Sequence, residues 1–214
     1  MGKTCTELFE GMDCTIIGNA DDVVEGIAYR SDQVKPGDAF FCIVGFTSDG
    51  HTYAQDAIDR GAKVLVVQRK VYLADATDVT EVVVSDTRKA MAEVSANFYD
   101  HPSRNLQLVG VTGTNGKTTT TYLVEHIARV AGKRTGVIGT MGTVIGDVQE
   151  KSAHTTPESP DLQHLLARMR DARCDVVAME VSSHALDLER TFARSSPSRR
   201  SRTSRRTILT TTTR

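Results

Sequence analysis

Three short stretches of this 214-residue chain carry residues whose types and spacing can do chemistry. The first is GVTGTNGKTTT, Gly110 to Thr120, where an apolar run ends, glycines follow, and Lys117 and Thr118 open a segment of helical spacing. Phosphate groups need several backbone N–H donors at close range and the positive end of a helix, and glycines permit that approach. Gly113, Thr114, Asn115, Gly116, Lys117, Thr118 and Thr119 are therefore candidates to cradle a nucleoside triphosphate. In this reading Lys117 is the catalytic cation on the terminal phosphates and the Thr118 hydroxyl holds Mg2+. The strict GxxxxGK[ST] pattern is not met, because its first glycine falls at Val111. The loop is a Gly113/Gly116 variant, and its structural alternative is a glycine-rich turn with an incidental lysine.

The second stretch, AMEVSSHAL (Ala178 to Leu186), sets an acid and two hydroxyls at the end of an apolar run. Ligands of open α/β sheets sit at the carboxyl ends of strands. Glu180 is then a second candidate Mg2+ contact, and Ser182 and Ser183 are candidate substrate donors. Glu180 also suits a helix N-terminus, and His184 suits either a site or a satisfied interior position. The third stretch, HTTPES (His154 to Ser159), offers the Thr155 and Thr156 hydroxyls to a carboxylate or phosphate. It equally suits a helix start, with Thr156 or Ser159 as N-cap and a proline nearby.

These groups need elements to hold them. DAFFCIV, AKVLVVQ and VTEVVVSD read as strands, rich in β-branched and aromatic residues between turn residues. HTYAQDAIDRG reads as a helix capped at Gly61, and TRKAMAEVSANFYDHP as a helix that runs out before Pro102. HPSRN reads as a linker. Beyond it the order becomes strand (LQLVGVTG), helix (KTTTTYLVEHIARVAG), strand (TGVIGT), helix (SPDLQHLLARMRDA) and strand (CDVVAMEVSS). Leu162, Leu165, Leu166 and Met169 share one face of the later helix. Such alternation implies parallel strands with crossover helices. The expected fold class is thus α/β, a small N-terminal α/β domain followed by a P-loop parallel-sheet domain.

Bulk composition is that of a globular chain, 39% apolar and 25% charged. No apolar run approaches the ~18 residues of a membrane span. Cys5, Cys14, Cys42 and Cys174 are scattered, with neither a CxxC pair nor a ligand-like cluster, which points to idle thiols. The net charge of −1 conceals an asymmetry, since seven arginines and no acid follow Phe192. A basic Ser/Arg tail suits RNA or an anionic lipid surface; an unstructured end without a partner is the alternative.

Taken together, GTNGKTT, TTPES and MEVSSHALDLER resemble the Mur ligases, ATP-dependent amide-forming enzymes of peptidoglycan precursor assembly. The front region, SDQVKPGDAFFCIVGFTSDGHTYAQDAIDRGAKVLVV, resembles the uridine-nucleotide domain of that family. The resemblance spans roughly residues 20 to 190 and is strongest to the branch that adds the third amino acid, diaminopimelate or lysine, to UDP-MurNAc-L-Ala-D-Glu through an acyl phosphate. It implies ATP on Gly113 to Thr119 and Mg2+ on Thr118 and Glu180. It also implies the muramoyl-peptide at Thr155, Thr156, Ser182 and Arg190, and the uridine nucleotide at Ser31, Thr47 and Ser48. Where the family shows Asp-Ser-Arg this chain has Arg30, Ser31 and Asp32, so only the serine transfers. Alternatives are a ligase of the same superfamily that adds D-Ala-D-Ala or builds folylpolyglutamate, and a non-catalytic nucleotide-binding module. The implied setting is a cytoplasmic monomer with neither a nucleic-acid nor a membrane partner.

The expected domains are 1–104 (uridine nucleotide), 105–191 (an incomplete ATP-binding domain) and 192–214 (a disordered tail). Read one base out of frame, codons for the tail from Ser195 permit VAVAAFT followed by NLSQDHLDYHHT, which resembles the family's next segment. The tail is accordingly expected to be out of frame, and this chain by itself inactive.

Overall fold

Two runs of the sequence, DAFF and VLVV, are buried at every position, as strands are when helices cover both faces of a sheet. The computed structural model describes residues 2–71, 78–151, 155–188 and 207–210. The chain divides into two units, Met1–Phe98 and Tyr99–Arg214.

The first unit runs β1 (Lys3–Thr4), α1 (Cys5–Leu8), β2 (Cys14–Ile17), β3 (Val23–Val24), β4 (Gly26–Ala28), β5 (Asp38–Phe41), α2 (Ala54–Asp59), β6 (Val64–Val67), β7 (Thr80–Val84) and α3 (Thr87–Phe98). Its main sheet has the order β2-β7-β6-β5-β4. Strands β4 to β7 are parallel, while β2 is antiparallel to β7. Alternation along each strand divides the core. Ala39, Phe41, Val64, Val66, Val82 and Val84 pack with Ala90, Met91 and Val94 of α3 and Leu8 of α1. Phe40, Cys42, Leu65 and Val67 face Ala54 and Ala57 of α2 instead. The expected helix over 51–61 opens as a 3-10 turn, Gly50–Tyr53, where the Asp49 side chain accepts the His51 N–H. It stops at Gly61, whose φ of +99 and approach to Pro36 (a Cβ would lie 2.9 Å from its Cα) exclude a side chain.

The unit boundary falls at Phe98, earlier than residue 104, for a reason visible in the contacts. Asp100 and His101 take left-handed φ values of 58 and 48, so α3 ends before Pro102 is reached. Residues 102–105 form a 3-10 turn and no loose linker. Arg170 Nη1 donates to the Tyr99 carbonyl at 2.9 Å, and the Tyr99 and His164 rings lie 5.5 Å apart. These contacts tie the segment to the second unit.

That unit runs β8 (Gln107–Thr112), α4 (Lys117–Val130), β9 (Thr135–Gly139), β10 (Gly142–Ile145), β11 (Val148–Glu150), α5 (Ser159–Asp171), β12 (Val176–Glu180), α6 (Ser183–Asp187) and β13 (Thr207–Thr210). The sheet order is β11-β10-β9-β12-β8-β13. Strands β9, β12, β8 and β13 are parallel, and β10 and β11 add an antiparallel edge beyond the expected parallel sheet. Leu162, Leu166 and Met169 of α5 are buried on Ile138, Val177 and Met179, with Leu165 packed beside them. The apolar face expected for that helix is the one it buries.

Thr207–Thr210 pairs with β8, Thr207 opposite Val109, which corrects the expectation of a disordered tail at these four residues. The outer edge of β8 otherwise presents unpaired N–H and C=O groups, and a Thr-Ile-Leu-Thr segment is strand-prone enough to pair with them. Among the described residues, no helix is long and apolar enough to cross a membrane.

Candidate functional site

Strand β8 delivers the chain into the Gly113–Gly116 loop, and the loop delivers it into α4. Gly113 and Gly116 take φ values of 147 and 76, conformations that side chains resist. Gly116 is the N-cap of α4 and brings no side-chain cap. The N–H groups of the first helical turn therefore have no intrahelical partner and point their partial positive charge into the loop. Lys117 Nζ donates to the carbonyls of Gly113 at 2.8 Å and Thr114 at 3.4 Å, which holds the ammonium over the loop.

Glu180 reaches the same place from a neighbouring strand. It ends β12, parallel to β8 and in register opposite Val111, so both strands present their carboxyl ends to one edge. One cleft of about 290 Å3 is lined by Thr114, Asn115, Gly116, Lys117, Thr118, Thr119, Thr140 and Glu180. The loop and the acid proposed as its partner are thus together. Glu180 is only 1% exposed. Its carboxylate accepts the Thr140 N–H on Oε1 at 3.0 Å and the Thr140 hydroxyl on Oε2 at 3.1 Å. Among the described residues no cluster of three or more His, Cys, Asp or Glu forms a metal cage. A divalent ion here would take phosphate oxygens with one carboxylate and one hydroxyl, the usual manner of Mg2+.

Thr140 was not among the sequence candidates. It sits in the two-residue turn between β9 and β10, and only the GTMG punctuation around it hinted at a tight turn. Its hydroxyl also lies 3.1 Å from that of Thr155, which so stands beside a cleft-lining residue. Thr156 plays a different part. It is 1% exposed, and its hydroxyl donates to the Glu180 carbonyl at 3.0 Å and accepts the Ser182 N–H at 3.2 Å. Thr156 fastens its loop to the end of β12. Neither Thr156 nor Ser159 is the N-cap of α5; that residue is Glu158, with Pro160 in the first turn. The Ser182 hydroxyl oxygen accepts the Ala185 N–H at 3.1 Å and so caps α6. Ser183 and His184 are exposed, which removes the interior reading of the histidine. Arg190 and His154 lie outside the described residues.

In the first unit, Ser31 follows β4, and Thr47 and Ser48 follow β5, two adjacent parallel strands. All three therefore lie beyond the carboxyl ends of neighbouring strands. Thr47 and Ser48 are exposed at a loop whose base is hydrogen-bonded through Asp49. Asp49 Oδ1 accepts from His51 N at 3.0 Å and from His51 Nδ1 at 2.5 Å, and Oδ2 pairs with Arg69 at 2.6 Å. His51 Nε2 in turn accepts the Gln68 N–H at 3.0 Å. Arg69 first, and then the two His51 donors, hold the Asp49 carboxyl well below the usual carboxylate range. Ser31 hydrogen-bonds Asp56 and lowers that carboxyl, assisted by Arg60. Arg30 and Asp32, which depart from the family pattern, pair with each other at 2.8 Å on the surface. The four cysteines are free. Burial pushes Cys42 up to about 12 and Cys5 up to about 11, so both remain protonated and unreactive at neutral pH.

Comparison with known proteins gives two successive matches that divide between residues 107 and 111. Residues 23–107 match the family model described as Mur ligase family, catalytic domain, and residues 111–197 match Mur ligase middle domain, reaching beyond residue 191. The chain is 43% identical over 186 residues to a UDP-N-acetylmuramoyl-L-alanyl-D-glutamate--2,6-diaminopimelate ligase of Clostridium perfringens, covering 86% of this chain and 38% of that protein. It is 49% identical over 169 residues to the protein of the same name from Geobacillus thermodenitrificans, covering 79% and 33%. A solved structure of a ligase of this name superposes with a TM-score of 0.72 at 25% identity, over 89% of this chain and 38% of that one. MurF from Acinetobacter baumannii, at a TM-score of 0.60 and 20% identity over 86% and 36%, shares the fold. The chain spans little more than a third of the length of the curated relatives it matches.

Proposed function

Since the chain belongs to the Mur ligase family, we propose that it carries the uridine-nucleotide and ATP-binding parts of a ligase that extends UDP-MurNAc-L-Ala-D-Glu by a third amino acid. The relatives at 43% and 49% identity are named for diaminopimelate, which favours it over lysine. The family setting is the cytoplasm, with ATP and the muramoyl-dipeptide as substrates.

The single observation that carries this reading is the shared cleft of the Gly113–Thr119 loop and Glu180. A carboxylate is a poor electrophile. Transfer of the γ-phosphoryl group of ATP to the D-Glu carboxylate, with ADP leaving, makes it an acyl phosphate. The incoming amine then attacks the acyl carbon, inorganic phosphate leaves, and the amine gives up a proton. Phosphoryl transfer is chiefly positioning and charge neutralisation, and this chain offers both. The glycine loop and the first turn of α4 would hold the phosphates, and Lys117 would place its charge on the terminal ones. Thr118 and Glu180 fit a magnesium ion, which when bound neutralises the charge that develops on the transferring group. Thr155 would contact the muramoyl-peptide directly; Thr156 would act by holding the loop. Ser31, Thr47 and Ser48 would contact the uridine nucleotide.

Titration calorimetry on the full chain tests this reading. Mg-ATP binds, and Lys117→Ala weakens it on the order of tenfold to a hundredfold, as loss of a charged phosphate contact should. Equal affinity of parent and K117A for Mg-ATP would remove the ATP site.

A further inference from the structure

Thr140 belongs to none of the sequence motifs, yet two hydrogen bonds join it to Glu180. Its backbone N–H and its hydroxyl take one carboxylate oxygen each. One residue thereby fixes both the position and the plane of the carboxylate. The grip is rigid from both sides. Glu180 is buried. Gly139, which precedes Thr140, lies so close that a Cβ there would sit 2.4 Å from Glu180 Oε1, so the carboxylate rests against bare backbone. Gly139 and Gly142 close the turn as a strand pair. Gly142, at φ +121 with a Cβ position 2.3 Å from the Glu150 carbonyl, locks that turn onto β11.

The hydroxyl inventory gives the arrangement a direction. A threonine has one hydroxyl proton. Thr140 donates its proton to Glu180 Oε2, so the proton in the 3.1 Å contact with Thr155 comes from Thr155. The order is Thr155 to Thr140 to Glu180, joining the Thr155 loop to the acid of the nucleotide cleft.

We propose that Thr140 is the positioning residue of Glu180, and that through this grip it sets how strongly a divalent ion enhances nucleotide binding in the cleft. The inference rests on the ATP site proposed above. A group that orients a metal ligand from behind affects metal affinity by roughly tenfold to a hundredfold, while the glycine loop and Lys117 act on the phosphates themselves.

The test uses the full chain and a fluorescent ADP, with affinity measured in the presence of Mg2+ and in EDTA. The readout is the ratio of the two affinities within each protein. Thr140→Val and Thr140→Ala remove the hydroxyl with and without keeping the side-chain bulk; Thr140→Ser keeps it. The ratio is expected to fall on the order of tenfold in T140V and T140A and to stay within about twofold of the parent in T140S. Ratios in T140V and T140A equal to the parent's, or a fall in T140S as deep as theirs, overturn the inference. So does a parent that binds ADP without any response to Mg2+. A parent that binds no nucleotide at all sinks the ATP site itself, and the inference with it.

Discussion

Asp49 illustrates how a single side chain can organise a loop without standing at its tip. It accepts two donors from His51 and one from Arg69, and the exposed Thr47 and Ser48 lie immediately before it. Its folded pKa is depressed. The sign therefore follows the carboxylate rule: its contribution to stability is whole above the ordinary carboxylate value of about 4 and is lost as pH falls below it toward the folded value. Thermal unfolding of the parent between pH 7 and pH 3 should show a loss that is smaller in Asp49→Asn, whose amide does not titrate, while other depressed carboxylates such as Asp56 supply the rest. Parallel pH profiles for the two proteins would show that Asp49 is not a source of that loss. At this scale the sequence was most informative where chemistry is local. Gly113, Gly116, Lys117 and Thr118 fall within six consecutive residues, so the strand-to-helix glycine turn they build is written in their order. Thr156 and Ser182 were equally visible as hydroxyls, but whether a hydroxyl faces a ligand or a backbone amide depends on what the fold brings opposite. Here both face backbone amides, the Thr156 hydroxyl that of Ser182 and the Ser182 hydroxyl that of Ala185. For Thr140 the GTMG punctuation gave the turn but nothing of its role, because its partner Glu180 is 40 residues away.

Elements position those residues through three parallel strand ends. β8 leads into the glycine loop, β12 carries Glu180 and β9 leads to Thr140, and their hydrogen-bonded register sets the three side by side. Register between parallel strands is set by burial, since a slip by one residue would turn Ile138, Val177 and Met179 away from α5. The β9–β10 turn is the part most sensitive to backbone change. Gly142→Ala should destabilise the second unit by about 1–3 kcal/mol, from a strained φ and a Cβ driven into the Glu150 carbonyl. Urea unfolding followed by circular dichroism measures this, and an unchanged midpoint would show that the turn relaxes freely. The strands and crossover helices were legible because period-2 and period-3.6 patterns are strong over such lengths. The β10–β11 hairpin was not, since GTVI and VQE are short and their pairing is fixed by the turn and by neighbours.

Over the whole molecule, the described surface carries one apolar stripe that matters for handling the protein. Leu123, Ile127 and Val130 of α4 are 56%, 59% and 74% exposed at helical spacing on one face. Contiguous exposed apolar surface promotes association. Ile127→Glu should reduce self-association of the chain, seen as a smaller scattering mass at high concentration, with Mg-ATP affinity retained because the residue is remote from the cleft lining. An unchanged scattering mass would assign association to another surface. The sequence by itself determined the α/β class and the family, because each is expressed in contiguous residues or in repeating burial patterns. Tertiary structure alone decided which hydroxyls face the cleft, that Thr140 holds Glu180, that the unit boundary lies at Phe98, and that Thr207–Thr210 joins the sheet edge. The reason is common to all four: each depends on a pairing between residues distant in the chain, and no local pattern encodes which distant group will fill the remaining hydrogen-bond or packing valence.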